Sequence, residues 1–292
     1  VEAPPGFEPG NGGFANLSLN HLGMAPSARQ LISVRGGVKE SVVLSLVVIA
    51  MNEADRLRRC LDSVPMAVEK LVLDSGSVDH TRQIARACGA RWIRADWPGH
   101  VAQKNRVLAL ASQPWVLSLD ADEWLEPDAQ AAVTHTLSAP RPGIVGYRLC
   151  RCSHWQGRRI RHGRWYPDRK LRLVARGRGR WEGNDPHDQL VVDGSVADLQ
   201  GDIGHVPYRS FREHLQTIDR YTATSAASLH AAGIRASRVD PILRPQLRFV
   251  DSYLLRAGFL DGAHGLALAG LGAAYTGLKW RRLWRLQASA SR

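Results

Sequence analysis

The sequence predicts an α/β fold built on a doubly wound, mostly parallel sheet, and three observations carry that expectation. Short apolar runs rich in β-branched residues recur through the first half, too unbroken for strands with one wet face. Helically spaced segments separate them. The residues that follow each run are polar and acidic, where an open parallel sheet exposes its ligand crevice.

The first run, from Val42 to Ala50, reads as a strand buried on both faces, and Ala54–Val64 has helical spacing. A second strand over Lys70–Asp74, a helix from Asp79 to Cys88 and a third strand around Arg91–Ala95 give β-α-β-α-β. A helix over Val101–Ser112 then leads into the run Trp115–Asp120, which completes four alternating units. After a further helix at Pro127–Leu137 the rhythm stops at Pro140-Arg141-Pro142-Gly143. Beyond it lie shorter mixed segments rich in Arg and Trp, and Phe249–Leu286 reads as helix. The expected organisation is therefore an irregular extension over residues 1–40, a first half over 41–143, a second half over 144–248 and a helical segment over 249–292. The extension is rich in Gly, Pro, Asn and Ser and does not have the basic flank and apolar run of a signal peptide.

At 292 residues and 44% hydrophobic content the chain has ample material for a core. Its net charge of +12 is uneven. Residues 1–143 carry 14 Lys/Arg against 15 Asp/Glu, whereas residues 144–292 carry 25 against 12. An anionic partner for the second half is implied. Cys60, Cys88, Cys150 and Cys152 are too sparse for a disulfide framework, which fits a reducing, cytoplasmic compartment.

The chemistry is concentrated at strand ends. The first run ends at Met51-Asn52-Glu53, the second at Asp74-Ser75-Gly76-Ser77-Val78-Asp79 and the fourth at Asp120-Ala121-Asp122-Glu123. Two carboxylates flanking one small residue can grip a hard cation that also holds diphosphate oxygens. Neither a G-x-G-x-x-G turn nor a G-x-x-x-x-G-K loop is present, which sets aside dinucleotide and P-loop readings. Asp79, just ahead of Thr81, also has the plain alternative of capping a helix.

Taken in order, Val47–Glu53, Leu73–Thr81, Gln103-Lys104-Asn105 and Leu117–Trp124 closely resemble the GT-A glycosyltransferases of family two, and more narrowly the lipopolysaccharide core β-glucosyltransferase subgroup. His162–Asp168, Leu171-Arg172-Leu173 and Gly258–Gly262 extend the resemblance into the second half. It implies a Rossmann-like nucleotide-sugar domain with a basic acceptor-side region, and transfer of a hexose from a UDP-sugar, with inversion, to a lipid-linked oligosaccharide. It also implies roles: Asp74 for the nucleobase with Asn52 and Glu53 nearby, Asp120 for ribose and metal, Asp122 for Mg²⁺ or Mn²⁺, and Lys104 for phosphate. Inversion needs a carboxylate to take the acceptor proton, and Asp188 is the first candidate, with Glu182 and Asp185 behind it. Related sequences tend to carry His-Glu where this chain has His187-Asp188. A carboxylate salt-bridged to one of the many arginines is the plain alternative.

Residues 148–180 hold twelve Arg/Lys and one acidic residue. Without a helix-turn-helix, zinc-finger spacing or RNA-binding aromatic signature, this run argues for a phosphorylated acceptor rather than nucleic acid. Cys150, Cys152 and His154 do not match a common zinc spacing. The small-residue stretch Ala257–Leu278 approaches the length of a membrane span, but Asp261, His264 and six glycines interrupt it. The basic and aromatic Lys279–Leu286 points instead to peripheral attachment at an anionic membrane surface, on the inner face of a bacterial inner membrane. The competing class is a catalytically inactive GT-A-like binding module at the membrane or on nucleic acid.

Overall fold

The computed structural model describes residues 43–183 and 188–290; the expected extension over residues 1–40 lies outside the described residues, as does Asp185. The chain alternates β1 (Leu44–Ala50), α1 (Leu57–Asp62), β2 (Glu69–Asp74), α2 (Thr81–Ala87), β3 (Arg91–Arg94), α3 (His100–Ala109) and β4 (Trp115–Asp120). These four strands pair in parallel in the order β3-β2-β1-β4. Leu44, Leu46, Val47 and Val48 of β1 are fully buried, as a strand covered on both faces requires. Burying each such side chain is worth about 1.5–3 kcal/mol, so the central strands anchor the half that carries the site.

The register places the strand ends on one line. Ala50 pairs with Asp74, and Ile49 with Asp120, so the residues after β1, β2 and β4 emerge side by side. That edge is the crevice of an open parallel sheet.

The sheet continues without interruption past Gly143 but changes direction. After β5 (Glu123–Leu125) and α4 (Pro127–Ser138) come β6 (Ile144–Trp155), the short β7 (Arg158–Arg159), β8 (Asp168–Ala175) and β11 (Ser195–His205). Strand β8 lies antiparallel between β4 and β6, β11 runs parallel to β6, and β5 closes the edge antiparallel to β11. Two strands, β9 (Gly179–Glu182) and β10 (Gln189–Val192), form a separate ribbon. Gly204 passes so close to the Trp124 ring that a Cβ would lie 2.1 Å from it, and this approach brings His205 opposite Glu123.

Much of the basic run is neutralised by acids supplied from β11 and from the turn that precedes it. Arg148 and Arg169 share Asp198, Arg159 meets Asp202, and Arg180 meets Asp193. The run is therefore not a continuous cationic face. Cys152 directs its thiol at the Ile160 carbonyl and His154 faces Glu126, and among the described residues no group of three or more His, Cys, Asp or Glu side chains could hold a metal ion.

The remaining chain forms α5 (Phe211–Ala231), α6 (Asp240–Val250) and α7 (Gly262–Ala290). The single helix expected over Phe249–Leu286 is broken by a π-helical turn at Asp251–Leu255 and a 3-10 turn at Gly258–Asp261. The break comes from backbone crossing: a Cβ on Gly265 would lie 1.8 Å from the Gly258 carbonyl oxygen. No helix among the described residues is long and apolar enough to cross a membrane.

Candidate functional site

Asp74 ends β2 with its side chain fully buried. Its Oδ1 accepts from the Gly76 and Ser77 amides at 2.8 and 2.7 Å, which folds the following turn around the carboxylate. Its Oδ2 is buried with no hydrogen-bond partner among the described residues, as is Oε1 of the buried Gln103. Gln103 donates through Nε2 to Ser75 Oγ at 3.0 Å, so both acceptors lie at the end of β2. Buried acceptors are costly to leave unmatched, and an N–H donor from a ligand would satisfy them.

The turn after β1 is tied to the same place. Asn52 adopts a positive φ of 57°, accepts from the Val78 amide through Oδ1 at 3.0 Å and donates its own amide to Ser77 Oγ. Asp79 accepts from the Thr81 amide and hydroxyl at the start of α2 and from the Ala54 amide, so it joins the two turns. Glu53 is gripped by Arg56 and by Arg209. Burial nonetheless outweighs these cations and pushes the Glu53 carboxyl above its ordinary value.

The acidic turn after β4 divides into two environments. Asp120 has a cation on each oxygen: Lys104 Nζ at 2.7 Å on Oδ1 and Arg172 at 2.8 Å on Oδ2. Burial works to raise its carboxyl, but Lys104 and Arg172 prevail and hold it well below the usual carboxylate range. Arg172 also meets the fully buried Glu123 at 2.7 Å. Asp122 is less committed, with Arg56 at 3.4 Å and His205 Nε2 at 3.6 Å. The other ring nitrogen of His205 bonds Ser153 Oγ at 3.0 Å, which orients Nε2 toward Asp122.

Lys104 joins these groups to Asp188. From the middle of α3 its Nζ reaches Asp120 Oδ1 and Asp188 Oδ2, both at 2.7 Å, and lies 4.2 Å from the centre of the Trp181 ring. Burial would strip its proton, yet Asp120 and Asp188 hold its pKa above the ordinary value. Glu182, by contrast, is exposed on β9 and pairs with Arg180. Asn52, Glu53, Asp74, Lys104, Asp120, Asp122 and Asp188 are thus linked around one sheet edge.

Gln103, Arg172 and His205 were not among the sequence candidates. Gln103 and Arg172 lie inside the motifs, but only the fold shows what they touch. His205 ends a strand with little apolar pattern, and its signal is purely spatial. The two second-half motifs also meet: Asp261, itself buried, accepts from the Arg161 and His162 amides and from His162 Nδ1 at 3.0 Å. That contact ties the loop before β8 to the start of α7.

Residues 45–191 match the model of glycosyl transferase family 2. The chain is 27% identical over 256 residues to the lipopolysaccharide core biosynthesis glycosyltransferase LpsC of Rhizobium meliloti, covering 85% of this chain and 94% of that protein. It is 34% identical over 233 residues to an uncharacterized glycosyltransferase of Rickettsia typhi, covering 76% and 80% of the two chains. Among solved structures it is similar to the mannosyltransferase PcManGT of Pyrobaculum calidifontis, in complex with GDP-Man and Mn²⁺, at 16% identity and a TM-score of 0.46, over 83% of this chain and 87% of that one.

Proposed function

The chain belongs to glycosyl transferase family 2, and on that premise we propose that this glycosyltransferase moves a hexose, glucose, from a UDP-sugar to a lipopolysaccharide inner-core acceptor with inversion. The observation that carries the reading is the gathering, at one sheet edge, of Asp74 with its unmatched buried oxygen, the Asp120–Asp122 turn and the Lys104-held Asp188. Similarity to LpsC, named for lipopolysaccharide core biosynthesis, supports the acceptor class.

In this proposal Asp74 Oδ2 takes the N–H of the nucleobase, with Asn52 and Glu53 shaping the turn beside it. Asp120, fixed by Lys104 and Arg172, faces the ribose side of the metal site. A divalent cation, Mg²⁺ or Mn²⁺, would be held by Asp122 and His205, with Asp120 close by but committed through both oxygens to Lys104 and Arg172. One carboxylate oxygen and one imidazole nitrogen face each other at 3.6 Å, and such ions complete their shell with diphosphate oxygens and water. When bound, the ion supplies positive charge against the charge that grows on the leaving diphosphate.

Inversion is a single displacement. The acceptor oxygen bonds to the anomeric carbon as the bond to the diphosphate breaks, the hydroxyl proton passes to Asp188, and the nucleoside diphosphate leaves with the electron pair. Lys104 is the residue that connects the two halves of this step, because the diphosphate competes with Asp188 for its ammonium group. Thermal unfolding with a donor panel tests the assignment. UDP-glucose with Mn²⁺ at about 100-fold over its dissociation constant should add about 2.7 kcal/mol, a rise of roughly 5–10 °C. Protection by GDP-mannose but not by UDP-glucose would overturn it.

The proposed location is cytoplasmic and peripheral, at the anionic inner face of the inner membrane. Exposure of apolar side chains supports it, with an emphasis different from Lys279–Leu286. On α7, Leu283 is fully buried and Trp280 lies under Arg244 at 3.9 Å, whereas α6 buries no residue at all. Leu243, Leu247, Val250 and Leu254 form an exposed stripe at helical spacing, continued by Leu255, Phe259 and Leu260. Co-sedimentation with anionic vesicles is expected at low salt and should weaken as salt screens the basic residues. No sedimentation at any salt would remove this reading.

A further inference from the structure

Between α6 and α7 lies a cleft of about 350 Å³ lined by Arg164, Arg244, Arg248, Lys279, Asp251 and Trp280. We propose that this cleft is a binding site for a phosphoryl anion, separate from the donor site and not dependent on the donor assignment.

The argument begins with charge. Asp240 and Asp251 are the carboxylates paired here, against Arg164, Arg244, Arg256, Arg248 and Lys279. Asp251 is shared by Arg164 at 2.5 Å and Arg256 at 3.4 Å, and Asp240 is taken by Arg244 at 2.5 Å. Among the described residues no carboxylate lies within ion-pair distance of Arg248 or Lys279. Both are half-buried, so solvent neutralises them poorly. Burial first, and then Arg248 and Arg244, pulls Lys279 below its ordinary pKa; burial and Arg164 do the same to Arg248. Folding has therefore gathered cations at a repulsive cost that a bound anion would offset.

Geometry selects the class of anion. The Arg244 guanidinium carbon lies 3.9 Å from the centre of the Trp280 ring, and this contact holds one guanidinium at the wall of the cleft. Guanidinium forks beside an ammonium suit the several oxygens of a phosphoryl group better than a single carboxylate. Leu247 of the exposed α6 stripe lines the same cleft, so the phosphoryl group can arrive on a lipid or free in solution. Arg164 belongs to the loop that Asp261 ties to the start of α7, which links the cleft to the acceptor-side half.

The test uses the full chain and a variant carrying Arg248→Gln and Lys279→Gln, with inorganic phosphate as probe against chloride at matched ionic strength. Wild-type protein should bind phosphate at least about tenfold more tightly than the variant and gain melting temperature that the variant does not. In phosphate-free buffer the variant should melt at or above the wild-type temperature, because a repulsion has been removed. UDP affinity should be the same in both proteins, so failure at the cleft and failure of the donor reading are distinguishable. Phosphatidylcholine vesicles carrying phosphatidic acid or, at equal charge, phosphatidylglycerol separate the sources. Preference for phosphatidic acid, lost in the variant and competed by free phosphate, assigns a lipid-borne phosphomonoester; phosphate binding without that preference assigns a soluble one. Equal phosphate affinity in wild type and variant, or no phosphate binding by either together with equal vesicle binding, overturns the site.

Discussion

Asp188→Asn is expected to lower turnover by about 10²–10⁴-fold while UDP affinity stays unchanged or rises slightly. Asparagine keeps the size of the side chain and an oxygen for Lys104, but it cannot take a proton from an attacking hydroxyl. Asp188 lies 2.7 Å from Lys104, whose second carboxylate partner, Asp120, remains in place, so the local fold survives the change. Removing a negative charge beside Lys104 also frees that cation for a diphosphate. Steady-state kinetics with separate UDP titration reads the two effects apart. Glu182→Gln serves as the contrast, since Glu182 is exposed and committed to Arg180. Near-normal turnover in Asp188→Asn with an inactive Glu182→Gln or Asp185→Asn protein would move the base elsewhere.

What could be read in the sequence follows from how far each signal travels along the chain. Strands β1, β2 and β4 announce themselves because both faces are buried, so Leu, Val and Ile must fill consecutive positions. Their polar ends mark the crevice for the same reason: apolar patterning stops where the sheet stops. The mixed part of the sheet has no such local mark. Arg172 is only 4% exposed, and its burial is tolerable because Asp120 and Glu123, about fifty positions away, meet it. An arginine in a strand pattern reads as a surface residue until those partners are known. Asp188 is similar: the sequence offers salt-bridging to an arginine as its plain role, and the ion pair is real but is made with Lys104 of α3. The single helix expected over Phe249–Leu286 breaks where Gly258 meets Gly265, and both look like ordinary small residues in a helical stretch. Their function is a backbone crossing that periodicity does not encode.

Asp122→Ala is expected to abolish the part of UDP affinity that depends on Mn²⁺, a loss of about 10²-fold or more, while the protein remains folded. Among the described residues the side chain's ion-pair partners are Arg56 and His205, at 3.4 and 3.6 Å. Its main-chain carbonyl keeps its bond from the Val206 amide. Little packing is therefore lost. Asp120→Ala would be a poor probe, because it strands the half-cradled Lys104 and Arg172 and mixes stability with binding. His205→Ala should reproduce a smaller share of the Asp122→Ala effect, and the double variant should fall short of the sum, since both donors serve one ion. Titration calorimetry with UDP, with and without Mn²⁺, measures each variant directly. Unchanged Mn²⁺-dependent affinity in folded Asp122→Ala protein would show that the cation, if used, is held elsewhere, and additive losses in the double variant would separate His205 from Asp122.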